Sequence, residues 1–140
     1  MDWYGDAMPV DLGKAIPIAD AAELDAWLVE HAAGDRDVVV AIHNKASGRQ
    51  TVTLLDLQEV ALCHGWVDTQ TRRIDTERYA IRFVPRRPGS HWSPKNRAMA
   101  RRLLDVGRMT SAGDASLPSE LRSLRPGPLD GEDGSEPSIP

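Results

Sequence analysis

The fold class follows from residues 53–84, which read TLLDLQEVALCHGWVDTQTRRIDTERYAIRFV. Thr53 stands where a helix N-cap is expected, and Gly65 stands where a left-handed residue ends a helix. The apolar residues between them recur at helical spacing: Leu54, Leu57, Val60 and Ala61. After a short extended segment and a turn, Glu77 to Val84 alternates apolar and polar residues. This alternation predicts a half-buried strand.

The flanking segments add two helices and a second strand. Asp20 and Glu23 have the spacing of a capping box, which predicts a helix over residues 21–33. Residues 37–43 form a β-branched run typical of a strand buried on both faces. Ser93-Pro94 places a cap before a proline at the first helical position, so a third helix begins there. We expect an α+β fold, a small single domain with three helices over a short mixed or antiparallel sheet.

Composition divides the 140 residues into three parts. Residues 1–15 have no periodicity and are expected to form a loose lead-in. Residues 16–113 hold the predicted elements and form the expected domain. Residues 114–140 contain five Pro, five Ser and three Gly among acidic residues, which predicts a disordered acidic tail.

The charge is distributed unevenly along the chain. The net charge is −4, yet residues 72–108 carry ten Arg and one Lys against three acidic residues, a local charge of +8. Such a segment is expected either to meet an anionic partner or to pair with carboxylates elsewhere in the fold. Both readings stay open from the sequence.

The single cysteine and the absence of long apolar runs bear on the compartment. Cys63 cannot form an intrachain disulfide, and a lone thiol suits a reducing compartment. The first residues lack a basic and apolar leader, and no run approaches the roughly 18 apolar residues of a membrane span. We expect a cytoplasmic protein without membrane insertion.

Several chemistries are disfavoured. Cys63 and His64 are adjacent, so on a helix their side chains point about 100° apart and cannot form a dyad. A packed, inert thiol is the expectation for Cys63. The four histidines lack metal-ligand spacing, and no glycine-rich phosphate loop is present. We therefore predict no metal site, no cofactor and no catalytic residues.

The strongest candidate site is the loop at residues 85–96. Two arginines and two serines precede a helix N-terminus, where unpaired amides and partial positive charge attract anions. Tryptophan adds a flat apolar wall for stacking. The predicted ligand-binding residues are Arg86, Arg87, Ser90, Trp92, Ser93 and Asn96, with Trp66, Asp68 and Arg82 behind or beside them. The alternative is structural: Ser93 as a cap, Trp92 packed on the helix, Asp68 in a turn or an internal ion pair, and the arginines on the surface.

The order of several short motifs resembles the YdeI/OmpD-associated family of small bacterial proteins. The matching pieces are residues 61–63 with 65–68, residues 83–87 with Ser90, Trp92, Ser93 and Asn96, and Gly107-Arg108-Met109. The resemblance covers about residues 20–113. Thr69 stands where the family usually has glycine, and His64 where it usually has an aromatic. The resemblance implies a small α+β domain and a role in protection against bacteriocins or antimicrobial peptides, without a catalytic mechanism.

These observations favour a non-enzymatic, cytoplasmic domain that binds an anionic small molecule or partner through the loop. One alternative is a nucleic-acid-binding module that uses residues 72–108 as an electrostatic footprint. A second alternative is a small enzyme in which Asp68 or His91 acts as acid or base beside the arginines.

Overall fold

A four-stranded mixed sheet organises the part of the chain that the computed structural model describes, residues 10–87 and 89–122. The strands are β1 (Ile16–Pro17), β2 (Val38–His43), β3 (Trp66–Arg73) and β4 (Arg78–Pro85). Their spatial order is β1-β2-β4-β3. β1 runs parallel to β2, and the other two pairs are antiparallel.

Five helices accompany the sheet within the described ranges: α1 (Ala21–His31), α2 (Leu54–Cys63), α3 (Pro94–Asp105), α4 (Ser111–Ala115) and α5 (Ser119–Arg122). The three long helices begin where the sequence predicts, because each has the predicted side-chain cap. The Asp20 carboxylate accepts from the Glu23 amide at 3.0 Å, and the Thr53 hydroxyl accepts from the amide of Asp56 at 3.1 Å. The predicted α+β class is confirmed.

The helices α1 and α2 cover one face of the sheet. The alternation along β4 sends Ile81 and Phe83 to this face, where both are fully buried together with Leu24 and Leu28 of α1 and Leu57 of α2. A second apolar cluster joins the end of α2 to α3 and α5. The candidate loop leads from β4 into α3 and contributes Trp92 to that second cluster.

The expectation that β4 is only half buried is wrong. Ala80 and Arg82, on the face opposite to α1 and α2, are 0% and 4% exposed. The segment 10–15 covers this face, where buried Val10 packs with Val39 and Ala80. Residues 10–15 therefore belong to the fold and are not a loose lead-in, while residues 1–9 lie outside the described residues.

The folded part also continues beyond residue 113, where the sequence placed the end of the domain. The helix α4 spans this position and α5 follows it, and Leu117 and Leu121 are 3% and 0% exposed against α3. A disordered tail does not bury apolar side chains in this way, so the chain is ordered at least to Arg122. The rest of the predicted tail, residues 123–140, lies outside the described residues.

Candidate functional site

The loop between β4 and α3 is organised by Arg86. Its Nη1 donates to the Ser90 hydroxyl and to the His91 carbonyl oxygen, both at 3.2 Å. Its Cζ lies 4.0 Å from the centroid of the Trp92 ring, a cation–π contact. Its backbone amide donates to the Gly65 carbonyl at 2.8 Å, which ties the loop to the end of α2. Three of the predicted site residues thus meet, with Trp92 stacking on an arginine of its own chain.

Ser93 and Asn96 form the cap of α3. The Ser93 hydroxyl accepts from the Asn96 amide at 3.1 Å, and Pro94 has no amide hydrogen to offer. The cap thereby uses one of the donors on which an anion site at this helix end would depend. Ser93 has the structural role that the sequence left open as the alternative.

Three other predicted site residues lie elsewhere. Trp66 is 2% exposed in the core beneath α1, where its ring meets Trp27 edge to face at a centroid distance of 5.9 Å. Asp68 accepts from the Gln58 side chain of α2 at 3.3 Å. Arg82 points to the opposite face of the sheet. The structure therefore separates Trp66, Asp68 and Arg82 from the loop.

Arg82 belongs to a buried ion pair on the face covered by residues 10–15. Its Nε donates to Asp37 Oδ2 at 2.9 Å, and Lys14 donates to Asp37 Oδ1 at 2.8 Å. Burial raises the pKa of Asp37, but the hydrogen bonds from Lys14 and Arg82 and their positive charges outweigh burial and hold the pKa below its ordinary value. Arg82 Nη1 is buried and finds no hydrogen-bond partner among the described residues.

A cavity of about 310 Å³ opens beside the Arg86 loop. Three arginines line it, Arg86, Arg87 and Arg122, and no described lining residue is acidic. The remaining lining residues are mostly small: Gly65, Gly89, Ala112, Ala115, Ser116 and Leu117. We call this the arginine pocket. Its basic lining attracts anions, and its small residues allow a ligand to approach the backbone.

Two glycines let α4 form one wall of the arginine pocket. At Gly65, with φ of +80°, a Cβ would stand 2.9 Å from the Ala112 carbonyl oxygen. At Gly113, a Cβ would stand 2.0 Å from the Cys63 carbonyl oxygen. That same carbonyl accepts from the Thr110 hydroxyl at 2.6 Å. The short helix α4 is thereby held directly against the end of α2.

Sequence reasoning missed the α4 wall and Arg122. The helix α4 spans the predicted end of the domain at residue 113, and Arg122 lies beyond it. The available signal was the apolar pair Leu117 and Leu121, four residues apart, which is the spacing of one helical face. Arg122 Nη2 donates to the Ala115 carbonyl at 2.7 Å, so α5 brings its arginine back over α4.

Carboxylates neutralise much of the basic segment at residues 72–108. At least five of its ten arginines pair with acidic side chains of the described residues. The pairs are Arg78 with Asp75, Arg82 with Asp37, Arg97 with Glu120, and both Arg102 and Arg108 with Glu59. Internal pairing therefore accounts for at least five of these arginines, as one of the two readings of the sequence expects.

Cys63 and His64 have separate surroundings in the described structure. Cys63 is buried, and burial raises the pKa of its thiol, while the nearby Arg108 has a smaller lowering effect. His64 Nε2 lies 2.7 Å from Asp25 Oδ1 and links α2 to α1. Among residues 10–87 and 89–122, no three His, Cys, Asp or Glu side chains cluster in a way that suits a metal ion. Within the same part of the chain, no helix has the length and apolar character to cross a membrane.

Comparison with known proteins places the domain but gives no activity. The chain matches no curated protein and no solved structure. A family model described as a domain of unknown function, DUF8412, matches residues 16–116, from β1 through the end of α4. This range includes Arg86 and Arg87 of the pocket and leaves out Arg122. The chain therefore belongs to the DUF8412 family.

Proposed function

We propose that this domain binds a small anionic ligand, a phosphate or carboxylate group, in the arginine pocket. The observation that carries the proposal is the lining itself, because three arginines converge on one cavity with no acidic side chain among its described lining residues. Arginine offers planar paired donors that match both oxyanions. The predicted loop residues Arg86 and Arg87 supply two of the three cations.

Preorganisation strengthens the proposal. Arg86 is fixed by Ser90, the His91 carbonyl and the Trp92 ring, so little side-chain entropy remains to be lost on binding. The roles of Ser90 and Trp92 in this proposal are to orient Arg86. Ser93 and Asn96 shape the same loop through the cap of α3.

The size of the pocket favours a small molecule. A volume of about 310 Å³ lies at the lower end of the roughly 300–1,000 Å³ usual for ligand sites. A nucleic-acid interface would require a continuous basic surface, and at least five of the ten arginines in residues 72–108 already pair with carboxylates of the described residues. The enzyme alternative loses its geometric basis at Asp68, which lies with Gln58 and away from the arginines.

We also propose that the domain lies in the cytoplasm. Its single cysteine, a free buried thiol, supports a reducing compartment. The resemblance to the YdeI/OmpD-associated family supports a non-enzymatic role in stress or in protection against bacteriocins and antimicrobial peptides. In that role the anion would act as a ligand that stabilises the domain or recruits a partner.

An amide-resolved NMR titration tests the binding site. Inorganic phosphate, a dicarboxylate, a mononucleotide and a short single-stranded RNA are each added to the intact chain at low and moderate salt. We expect saturable shifts confined to Gly65, Arg86, Arg87, Gly89, Ser90 and residues 112–117, and the strongest ligand identifies the anion class. Arg87→Ala and Arg122→Ala should each weaken binding about fivefold or more, the scale of a charge-assisted hydrogen bond.

The matched control is Arg101→Ala, because Arg101 is exposed on α3 and does not line the pocket. Arg101→Ala should leave the affinity unchanged. Equal weakening by all three variants would show nonspecific charge attraction and overturn the proposal. Shifts spread along residues 72–108 with single-stranded RNA, falling steeply with salt, would favour the nucleic-acid alternative instead.

A further inference from the structure

A second cavity, of about 320 Å³, opens between β1 and α1. Its walls are apolar. They come from β1 and the residue after it (Ile16 and Ile18), from α1 (Ala26 and Trp27) and from β2 (Val38 and Val40). We call it the Trp27 cavity. Its one charged lining residue among those the structure describes is Glu23. The combination of apolar walls and one fixed polar group is what small-molecule sites usually show.

The Glu23 carboxylate is held in place by the capping box of α1. Its Oε1 accepts from the Ala19 amide at 2.6 Å and from the Asp20 amide at 3.2 Å. Its Oε2 has no hydrogen-bond partner among the described residues. One oxygen is therefore anchored while the other stays available, so the negative charge at the cavity is positioned before any ligand arrives.

Trp27 is also held from two sides. Its ring stacks on His31 with centroids 4.6 Å apart and meets the Trp66 ring edge to face at 5.9 Å. The side chain remains partly exposed where it lines the cavity. Trp is the aromatic side chain that attracts cations most strongly. On the same helix, Glu23 stands four residues before Trp27 and Glu30 three residues after it. A carboxylate therefore lies about one helical turn from Trp27 on each side.

A neighbouring cavity does not cancel the charge of Glu23. That cavity shares Glu23 and is lined by Arg49 and Arg78. Each of these arginines has its own carboxylate, Glu77 at 3.7 Å for Arg49 and Asp75 at 3.1 Å for Arg78. The Trp27 cavity therefore keeps a net negative lining.

We propose that the Trp27 cavity binds a small hydrophobic ammonium, with an aromatic or branched aliphatic body. The body fills the apolar space against Ile16, Val38 and Val40, and the ammonium pairs with Glu23 Oε2 at the cavity wall. The cavity size limits the body to about one ring, because the volume again lies at the lower end for ligand sites. The site is independent of the arginine pocket.

Three probes that share a phenylethyl body and differ in charge test the proposal by amide NMR at pH 7. They are 2-phenylethylamine, 2-phenylethanol and 3-phenylpropanoate. The cation should give saturable shifts at Ala26, Trp27 and Val40, while the neutral analogue should bind about two- to fivefold more weakly and the anion more weakly still. Equal binding of the neutral analogue, stronger binding of the anion, or no saturable shift with the cation would overturn the proposal.

Two substitutions separate charge from shape. Glu23→Gln keeps the capping box, since Gln at this position also completes it, and removes only the charge. It should weaken the cation about two- to fivefold and leave the alcohol unaffected. Ala26→Leu fills the cavity from an exposed helix position and should abolish binding, while the control Ala22→Leu, exposed on α1 and outside the lining, should bind normally. Unchanged cation binding in Glu23→Gln or in Ala26→Leu contradicts the assignment.

Discussion

The guanidinium of Arg86 lies over the ring of Trp92, with Cζ 4.0 Å from the ring centroid. Trp92 is 5% exposed and packs with Leu62, Met99 and Leu103 in the cluster that joins α2 and α3. One face of the ring therefore serves the core while the other orients a charge at the arginine pocket. A change in the packing of α3 should therefore shift the Trp92 ring and, with it, the position of the Arg86 guanidinium.

Arg86→Ala should lower the free energy of unfolding as well as any anion affinity. The variant loses the cation–π contact and the two hydrogen bonds from Nη1, together worth about 1–3 kcal/mol. Urea unfolding followed by far-UV circular dichroism measures the change. Arg101→Ala, exposed on α3, should change stability by less than about 0.5 kcal/mol. Equal stability of the two variants would show that Arg86 does not organise the loop.

Gly113→Ala should destabilise the protein by at least about 3 kcal/mol, the upper end of the cost of overpacking. The added Cβ would stand 2.0 Å from the Cys63 carbonyl oxygen, so α4 must move away from α2. Alanine is the better helix former by about 1 kcal/mol, which makes the direction of the effect informative. Gly34→Ala is the matched control, since its Cβ meets nothing within 4 Å. A Gly113→Ala protein as stable as this control would contradict the close packing of α4.

Asp37→Asn should cost about 3–5 kcal/mol at pH 7, because it leaves the buried Arg82 without its anion. The folded-state pKa of Asp37 is lowered, so its stabilising effect is present above the unfolded-state pKa, about 3.9, and is lost as the pH falls through the folded-state value. Urea unfolding of both proteins between pH 7 and pH 2.5 measures the difference. The gap between them should shrink below about pH 4, and a gap independent of pH would show that the charge of Asp37 is not what stabilises the fold.

The helices were predictable because their signals are local. Asp20, Thr53 and Ser93 each cap a helix with their own side chain, and such caps depend only on residues three positions away. The alternation along β4 likewise assigned Ile81 and Phe83 to the core. The prediction was wrong for the opposite face of β4. Ala80 and Arg82 are buried there because a segment about 70 residues earlier in the chain covers them.

Sequence patterns indicated only the loop of the candidate site. The density of arginine, serine and tryptophan around Arg86 singled out the segment whose Arg86 and Arg87 line the arginine pocket, and its role in binding stays a prediction. Trp66 and Asp68 were predicted to lie behind or beside this loop, but they face the core beneath α1 and α2. Whether a second layer covers the other face of a sheet, and which distant helix closes a pocket, are tertiary properties that local patterns do not give.

The proline in β1 has a consequence for how this protein meets copies of itself. The Ile18 amide donates inward to the Ala41 carbonyl at 3.0 Å, so the nitrogen of Pro17, one residue earlier, faces away from β2 and carries no hydrogen. A strand from another molecule would find no donor at that position, although Ile16 beside it is 39% exposed. This margin of the sheet is thereby protected against open-ended stacking and the aggregation that follows from it.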